Sequence, residues 1–276
     1  MITIDPSTRV MLIDTSYTAF FRYFAVLSWI KRQEADTSFE TLHKNEAFMK
    51  TYEKTFEAML VDLAKKYNVK WSNVVLCLDG FRADIWRFDH HKEYKHGRTS
   101  TFNEHIWKYT FESLIPRLKE AHGFHTLNGY RLEADDVVAI CVQAIKETHS
   151  NYNIVIITND CDYIQLYEPD KVQLFNLQHT DIASRIKGTK NAATYLTAKC
   201  ILGDKSDYIP SIKKGVGPKT AEKYANDPEA FEAFLSKNPD AREKYNNNRR
   251  LIDFEWIPTD LKAEVKKHIT FSEKTT

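Results

Sequence analysis

Residues 153–162 read NIVIITNDCD: an apolar run, Ile154–Ile157, then two aspartates, Asp160 and Asp162, with one residue between them. A short apolar run bounded by turn residues is the pattern of a strand buried on both faces. The pattern recurs upstream. Val10–Ile13 ends at Asp14, and Val74–Leu78 ends at Asp79. Val172–Phe175 reads as a fourth strand. Between these runs lie amphipathic stretches. Phe48, Tyr52, Phe56, Met59, Leu63 and Tyr67 recur at helical spacing within 41–67. A second helix is expected over 103–122, stopped by Gly123, and a third over 133–149. Strands alternating with helices predict an α/β fold with a mainly parallel central sheet flanked by helices. From about 190 onward no strand is expected. Short helices there are punctuated by Pro210, Gly215, Gly217, Pro218, Pro228, Pro239 and Pro258. The expected division is an α/β part, 1–190, and a helical part, 191–276. Residues 81–105 stand apart as polar, aromatic and aperiodic, which predicts mobility.

Composition narrows the function less than it narrows the class. The chain has 276 residues, 42% hydrophobic and 28% charged, so it is neither disordered nor fibrous. Its 39 basic and 38 acidic residues give a net charge of +1. A wholly basic nucleic-acid binder is excluded, and any such role must rest on how charges are placed. Cys77, Cys141, Cys161 and Cys200 form no C-x-x-C pair and read as reduced thiols of a cytoplasmic protein. The N-terminal MITIDPSTR lacks an apolar signal region, and no run is long enough to span a membrane.

In an open parallel sheet, ligands bind beyond the carboxyl ends of the strands. Asp14, Asp79, Asp160 and Asp162 would therefore converge there, although they are distant in sequence. RLEADD adds Glu133, Asp135 and Asp136 at the start of a helix. An acid in a first helical turn suits the helix dipole, and a single acid after a strand is commonly a turn residue. Coincidence at several sites is harder to sustain. Packed carboxylates must either rise in pKa or bind cations. Oxygen donors without His or Cys favour magnesium or manganese over zinc. Two such ions about 4 Å apart suit in-line displacement at a phosphodiester.

Further along, GDKSDYIPSIKKGVGPKTA contributes Asp204 and Asp207 and holds two of only eight glycines. Gly215 and Gly217, then Pro218 opening a helix, form a helix-hairpin-helix pattern in which backbone N–H groups can meet a phosphate. Lys213, Lys214, Lys219, Thr220 and Lys223 line it.

Taken in order, LIDTSYTAFFR, VLCLDGFRADIWRFDHHKEYKHGR, EADD, ITNDCDYIQL, ILGDKSDYIPSIKKGVGPKTA and RLIDFEWIP cover nearly the whole chain. This set resembles the flap endonuclease and 5′-nuclease superfamily, most of all its branch of T-even-type bacteriophage ribonucleases H, which are 5′-to-3′ exonucleases. The resemblance implies a PIN-like 5′-nuclease domain over 1–190, with an arch or bridge near 81–105 under which a 5′ strand passes. It implies a DNA-binding helical part with its hairpin near 205–223. It implies two magnesium ions, with manganese able to substitute: one held by Asp14, Asp79, Glu133 and Asp135, with Asp136 beside them acting through water, the other by Asp160, Asp162 and Asp207, with Asp135 near both and Asp204 an outer-shell or direct partner. A monovalent cation at the hairpin goes with the same family. Lys95 and Arg98 match groups that stabilise the scissile phosphate, Arg22 matches a basic residue near the site, and Tyr94 is the base-stacking candidate. Cys161 between two aspartates, Tyr208 and Ser211 depart from the usual pattern.

The implied activity is 5′-to-3′ exonuclease and flap endonuclease action on nicked or branched duplex DNA and on RNA–DNA hybrids, with removal of RNA primers in replication as the role. The expected partners are these nucleic acids and a single-strand DNA-binding protein. The chain ends soon after RLIDFEWIP, so contact with a sliding clamp is doubtful, and a cytoplasmic monomer is expected. The competing readings are an inactive DNA-binding accessory and a metal-dependent ribonuclease or phosphatase of related fold. With the nine proposed site acids set aside, 29 acids face 39 bases, and 182–223 alone holds nine Lys or Arg against three acids. The neutral total thus reads as an acidic centre offset by a basic surface.

Overall fold

The computed structural model describes residues 1–33, 38–97, 102–186 and 188–272. Five parallel strands form the central sheet: β2 (Val10–Asp14), β3 (Val74–Cys77), β4 (His125–Leu127), β5 (Ile154–Ile157) and β6 (Val172–Phe175). Their spatial order is β4-β3-β2-β5-β6. Leu12 sits in register with Val75 on one side and Ile156 on the other. The period of two then sorts side chains onto opposite faces.

Val10 and Leu12 join Val75, Cys77, Ile154 and Ile156 beneath α5 (Ala134–Thr148). Met11 and Ile13 join Val74, Leu76, Val155 and Ile157 on the other face. That face is covered by α1 (Thr15–Gln33), α2 (Glu46–Lys66) and the run α3 (Glu104–Tyr109), a π turn over 110–114, and α4 (Ile115–His122). Continuous apolar strands are what a sheet covered on both faces requires. Asn45 caps α2, its side chain accepting from the Phe48 N–H, and Gly123 ends α4 in the left-handed conformation.

The C-terminal region contains α6 (Ala192–Leu202), α7 (Pro218–Asn226), α8 (Pro228–Ser236), α9 (Pro239–Ile252) and α10 (Thr259–Lys266). α6 and α7 pack as a pair through Ala198, Ile201, Ile212, Ala221 and Ala225. Leu251, Ile252, Phe254, Ile257 and Val265 instead belong to the core under α5. The expectation of no strand beyond 190 is corrected by β7 (Ile269–Phe271), which pairs in parallel with β1 (Ile2–Ile4). Three-residue strands leave too little alternation to read, which also hid β1 and β4.

Within 81–97 no α-helix forms; short 3-10 turns at Arg82–Asp84 and Trp86–Asp89 lead into a run of turns. This segment is anchored through the buried Ile85, Trp86, Arg87 and Tyr94. Among the described residues no helix is long and apolar enough to cross a membrane. Cys77, Cys141 and Cys200 are buried free thiols, and Cys161 is half-buried.

Candidate active site

The carboxyl ends of β2, β3 and β5 deliver Asp14, Asp79 and Asp160 to one edge of the sheet. Asp14 accepts from the Tyr17 N–H at 3.0 Å and the Tyr163 hydroxyl at 3.1 Å. Burial, then the neighbouring Asp79 and Asp160, push its carboxyl up to about 7. Asp79 accepts from the Ser16 hydroxyl and from the Ala134 N–H at 2.8 Å, which ties β3 to the start of α5. Although part of Asp79 meets solvent, the protein packed around it raises its pKa, and Glu133 adds to the rise.

Glu133 is the N-cap of α5 and forms a capping box with Asp136. Carboxylate oxygens of Glu133, Asp135 and Asp136 lie within 4.8 Å of one another. Their environments differ. The Arg87 guanidinium forks onto both oxygens of Asp136 at 2.7 and 2.8 Å and reaches Glu133 at 3.0 Å. The Trp86 indole also donates to Asp136, at 3.0 Å. Burial works to raise Glu133, but Lys95 and Arg87 overcome it and hold the carboxyl down to about 2. Among the described residues Asp135 has no such direct pairing to a base; burial and its acidic neighbours raise it well above the carboxylate range despite Arg87 and Lys95 nearby.

Lys95 joins this group to the next. Its ammonium pairs with Glu133 and lies 4.0 Å from Asp207. Burial alone would lower its pKa, yet Glu133, Asp207 and Asp135 hold it above the ordinary lysine value. Its backbone N–H donates to the Asp207 carbonyl at 3.1 Å. Asp160 caps a 3-10 turn and accepts from the Asp162 N–H at 2.9 Å. Lys199 pairs with Asp162 and, at 3.1 Å, with Asp204. The acids therefore adjoin in two groups, one around the α5 N-terminus and one in which Lys199 meets Asp162 and Asp204, with Lys95 linking Glu133 to Asp207 and Asp160 bound to the Asp162 N–H. Asp14 feels charges from both sides, through Asp79 and Asp160.

The donors fit divalent cations. All are carboxylates; Asp14 is pushed up beside Asp79, and Asp135 beside Asp136 and Glu133, a crowding that a hard cation would relieve. Asp136 fits least, because Arg87 already engages both its oxygens.

Two expected contributors do not take the expected place. Tyr94 is corrected: its ring is 3% exposed, so neither face is open to a base, and its hydroxyl donates to Glu133 at 2.8 Å. Arg22 lies on α1, where burial lowers its pKa and the charges acting on it are Asp62 and Tyr52 of α2, none of the nine acids. Arg98 lies outside the described residues. At the hairpin, Gly215 adopts a left-handed φ of 87° and Gly217 caps α7, with Pro218 opening the helix. Lys213, Lys214, Lys219 and Lys223 are exposed, and Thr220 is half-buried. Lys213 pairs with Asn238.

Sequence reasoning passed over Arg87, Lys199, Ser16 and Tyr163. Arg87 sits between two aromatics, and Lys199 interrupts an otherwise apolar helix end. A base in such a place needs an acid partner, which is the signal that could have found both.

A family model described as "5'-3' exonuclease, N-terminal resolvase-like domain" matches residues 9–196. The ribonuclease H of enterobacteria phage T4 is 29% identical over 226 residues, covering 72% of each chain. DNA polymerase I of Lactococcus lactis is 28% identical over 226 residues, which are 78% of this chain but only 24% of the polymerase. The phage T5 flap endonuclease, in a pseudo-enzyme–product complex with DNA and metal ions, has the same fold: TM-score 0.62, 18% identity, covering 95% of this chain and 97% of that one.

Proposed function

Because the chain belongs to the 5′-3′ exonuclease family of hydrolytic 5′-nucleases, we propose that it is a magnesium-dependent enzyme of RNA-primer removal. It would degrade RNA–DNA and DNA–DNA duplexes from the 5′ end and cut 5′ flaps near the junction. The observation that carries this is the convergence of acids from β2, β3, β5 and the α5 N-terminus beside Lys95. Ions held by Asp14, Asp79, Glu133 and Asp135, and by Asp160, Asp162, Asp204 and Asp207, would acidify a water and neutralise the phosphate. Ser16, Tyr163 and the Ala134 N–H fix the orientation of Asp14 and Asp79. Lys95, which pairs with Glu133, would turn to an incoming phosphate and stabilise charge developing on it, with Arg98 as its partner in the same role.

The exposed lysines beside the α6–α7 turn would grip the phosphates of the duplex, and a monovalent cation at Gly215 and Gly217 belongs with this reading. Manganese would substitute for magnesium. The protein would act as a monomer in the cytoplasm, with a single-strand DNA-binding protein as its partner in replication.

The test is a labelled 5′-flap duplex and an RNA–DNA hybrid, each incubated with magnesium or EDTA, with product lengths read on a gel. Magnesium-dependent shortening from the 5′ end is expected on both. Asp160→Ala should abolish cleavage and leave binding of the duplex largely intact. Full magnesium-dependent cleavage by that variant would overturn the assignment; binding without any cleavage by the unaltered protein would favour a DNA-binding accessory.

A further inference from the structure

Phe81 and Tyr130 are the most solvent-open aromatic rings among the described residues, 73% and 69% exposed. Neither ring stacks on another aromatic ring among those residues. Their positions are not scattered. Phe81 follows Asp79 by two residues on the loop leaving β3, and Tyr130 precedes Glu133 by three on the loop leaving β4. β3 and β4 pair in parallel, so both loops emerge at the edge that carries the acids.

The two loops are fastened to each other. The Gly80 N–H donates to the Leu132 carbonyl at 2.7 Å. A Cβ on Gly80 would stand 2.8 Å from both the Gly129 and Leu132 carbonyl oxygens, so the backbones touch where only glycine fits. The Trp86 N–H closes the other side, on the Arg131 carbonyl at 3.0 Å. Phe81 and Tyr130 each come one residue after this contact. Two large rings are thereby held in water on a rigid base, next to carboxylates proposed to act on a phosphodiester.

We infer that Phe81 and Tyr130 form a stacking platform for unpaired bases of the nucleic-acid strand bordering the scissile phosphate. This rests on the nuclease reading above. Rings exposed by a fixed backbone lose little freedom on binding. Every nucleobase offers a π-face, so such a platform tolerates any sequence. A strand whose phosphate lies at Asp79 and Glu133 must carry its neighbouring bases past the loops that hold those residues. Tyr94, the aromatic that the sequence first suggested, cannot serve, since its ring is buried.

The test uses the full chain on a 5′-flap duplex, intact or with one abasic residue placed in turn at each nucleotide flanking the cut. Phe81→Ala and Tyr130→Ala should each raise KM about tenfold on the intact substrate, with kcat within about twofold. The unaltered enzyme should show a comparable KM penalty at one or two abasic positions, and the alanine variants should show no added penalty there. Phe81→Trp and Tyr130→Phe should keep near-normal KM, which separates stacking from a folding defect. Alanine variants with unchanged KM on naked substrate would overturn the platform and leave the surface to a protein partner. Equal losses on intact and abasic substrates would overturn it as well. Absence of cleavage by the unaltered protein would instead remove the nuclease reading itself.

Discussion

Arg87 is 2% exposed, and its guanidinium meets Asp136, Glu133 and the Leu251 carbonyl, so the α5 N-terminus and the end of α9 both depend on one side chain. Removing one partner of a buried ion pair leaves charge without compensation. Arg87→Leu should therefore cost about 3–5 kcal/mol, read as a lower urea midpoint at unchanged slope. Arg87→Lys should recover only part of this, because an ammonium cannot fork onto Asp136. Asp14 makes a second prediction at this scale. Its folded pKa, about 7, lies above the unfolded carboxylate value of about 4. The native state thus favours the protonated acid, and the stability it contributes is present below about pH 4 and lost as pH rises through about 7. In EDTA, thermal melts should show a falling contribution from this group across that window. Asp14→Asn should flatten it, and magnesium at pH 8 should raise Tm more for the unaltered protein than for the variant.

Among the elements, the turn after α6 is held by its backbone. Gly203 has φ 69° and ψ −170°, a conformation restricted essentially to glycine. A Cβ there would lie 2.4 Å from the Ile209 and Pro210 carbonyl oxygens. The same turn is closed by Asp204 and Ile209, each donating its N–H to the other's carbonyl, at 2.9 and 2.8 Å. It presents Asp204 to Lys199 and Asp207 to Lys95. Gly203→Ala should cost about 1–3 kcal/mol. If the turn holds those acids in place, cleavage should fall further than the loss of folded protein explains. A circular-dichroism melt run beside the flap assay separates the two effects. The α5 N-terminus is the comparable element on the other side of the site, where a capping box and the Asp79 contact set the helix against β3.

At the scale of the whole molecule, charge is divided rather than absent. The acids gather at the sheet edge, while Lys214, Lys219 and Lys223 stand exposed beyond it on the hairpin and α7. Duplex binding should weaken steeply with salt in spite of the net charge of +1. Each of these lysines changed to Gln should lower the log–log slope by about one, as fluorescence anisotropy across a salt series would show. A flat salt dependence in the unaltered protein would contradict the division.

The sequence by itself determined the alternation of buried strands and amphipathic helices, the parallel sheet, and the convergence of Asp14, Asp79 and Asp160. These follow from local hydrophobic period and from the rule that strand ends in such sheets share an edge. Only the tertiary structure decided that β1 pairs with β7, that Tyr94 is buried while Phe81 and Tyr130 are open, and that Arg87 and Lys199 serve the acids. The reason is physical: period and turn chemistry are written within a few residues, whereas burial and ion pairing depend on which distant segments meet. Arg87 and Asp136 are 49 residues apart, and β1 and β7 lie at opposite ends of the chain.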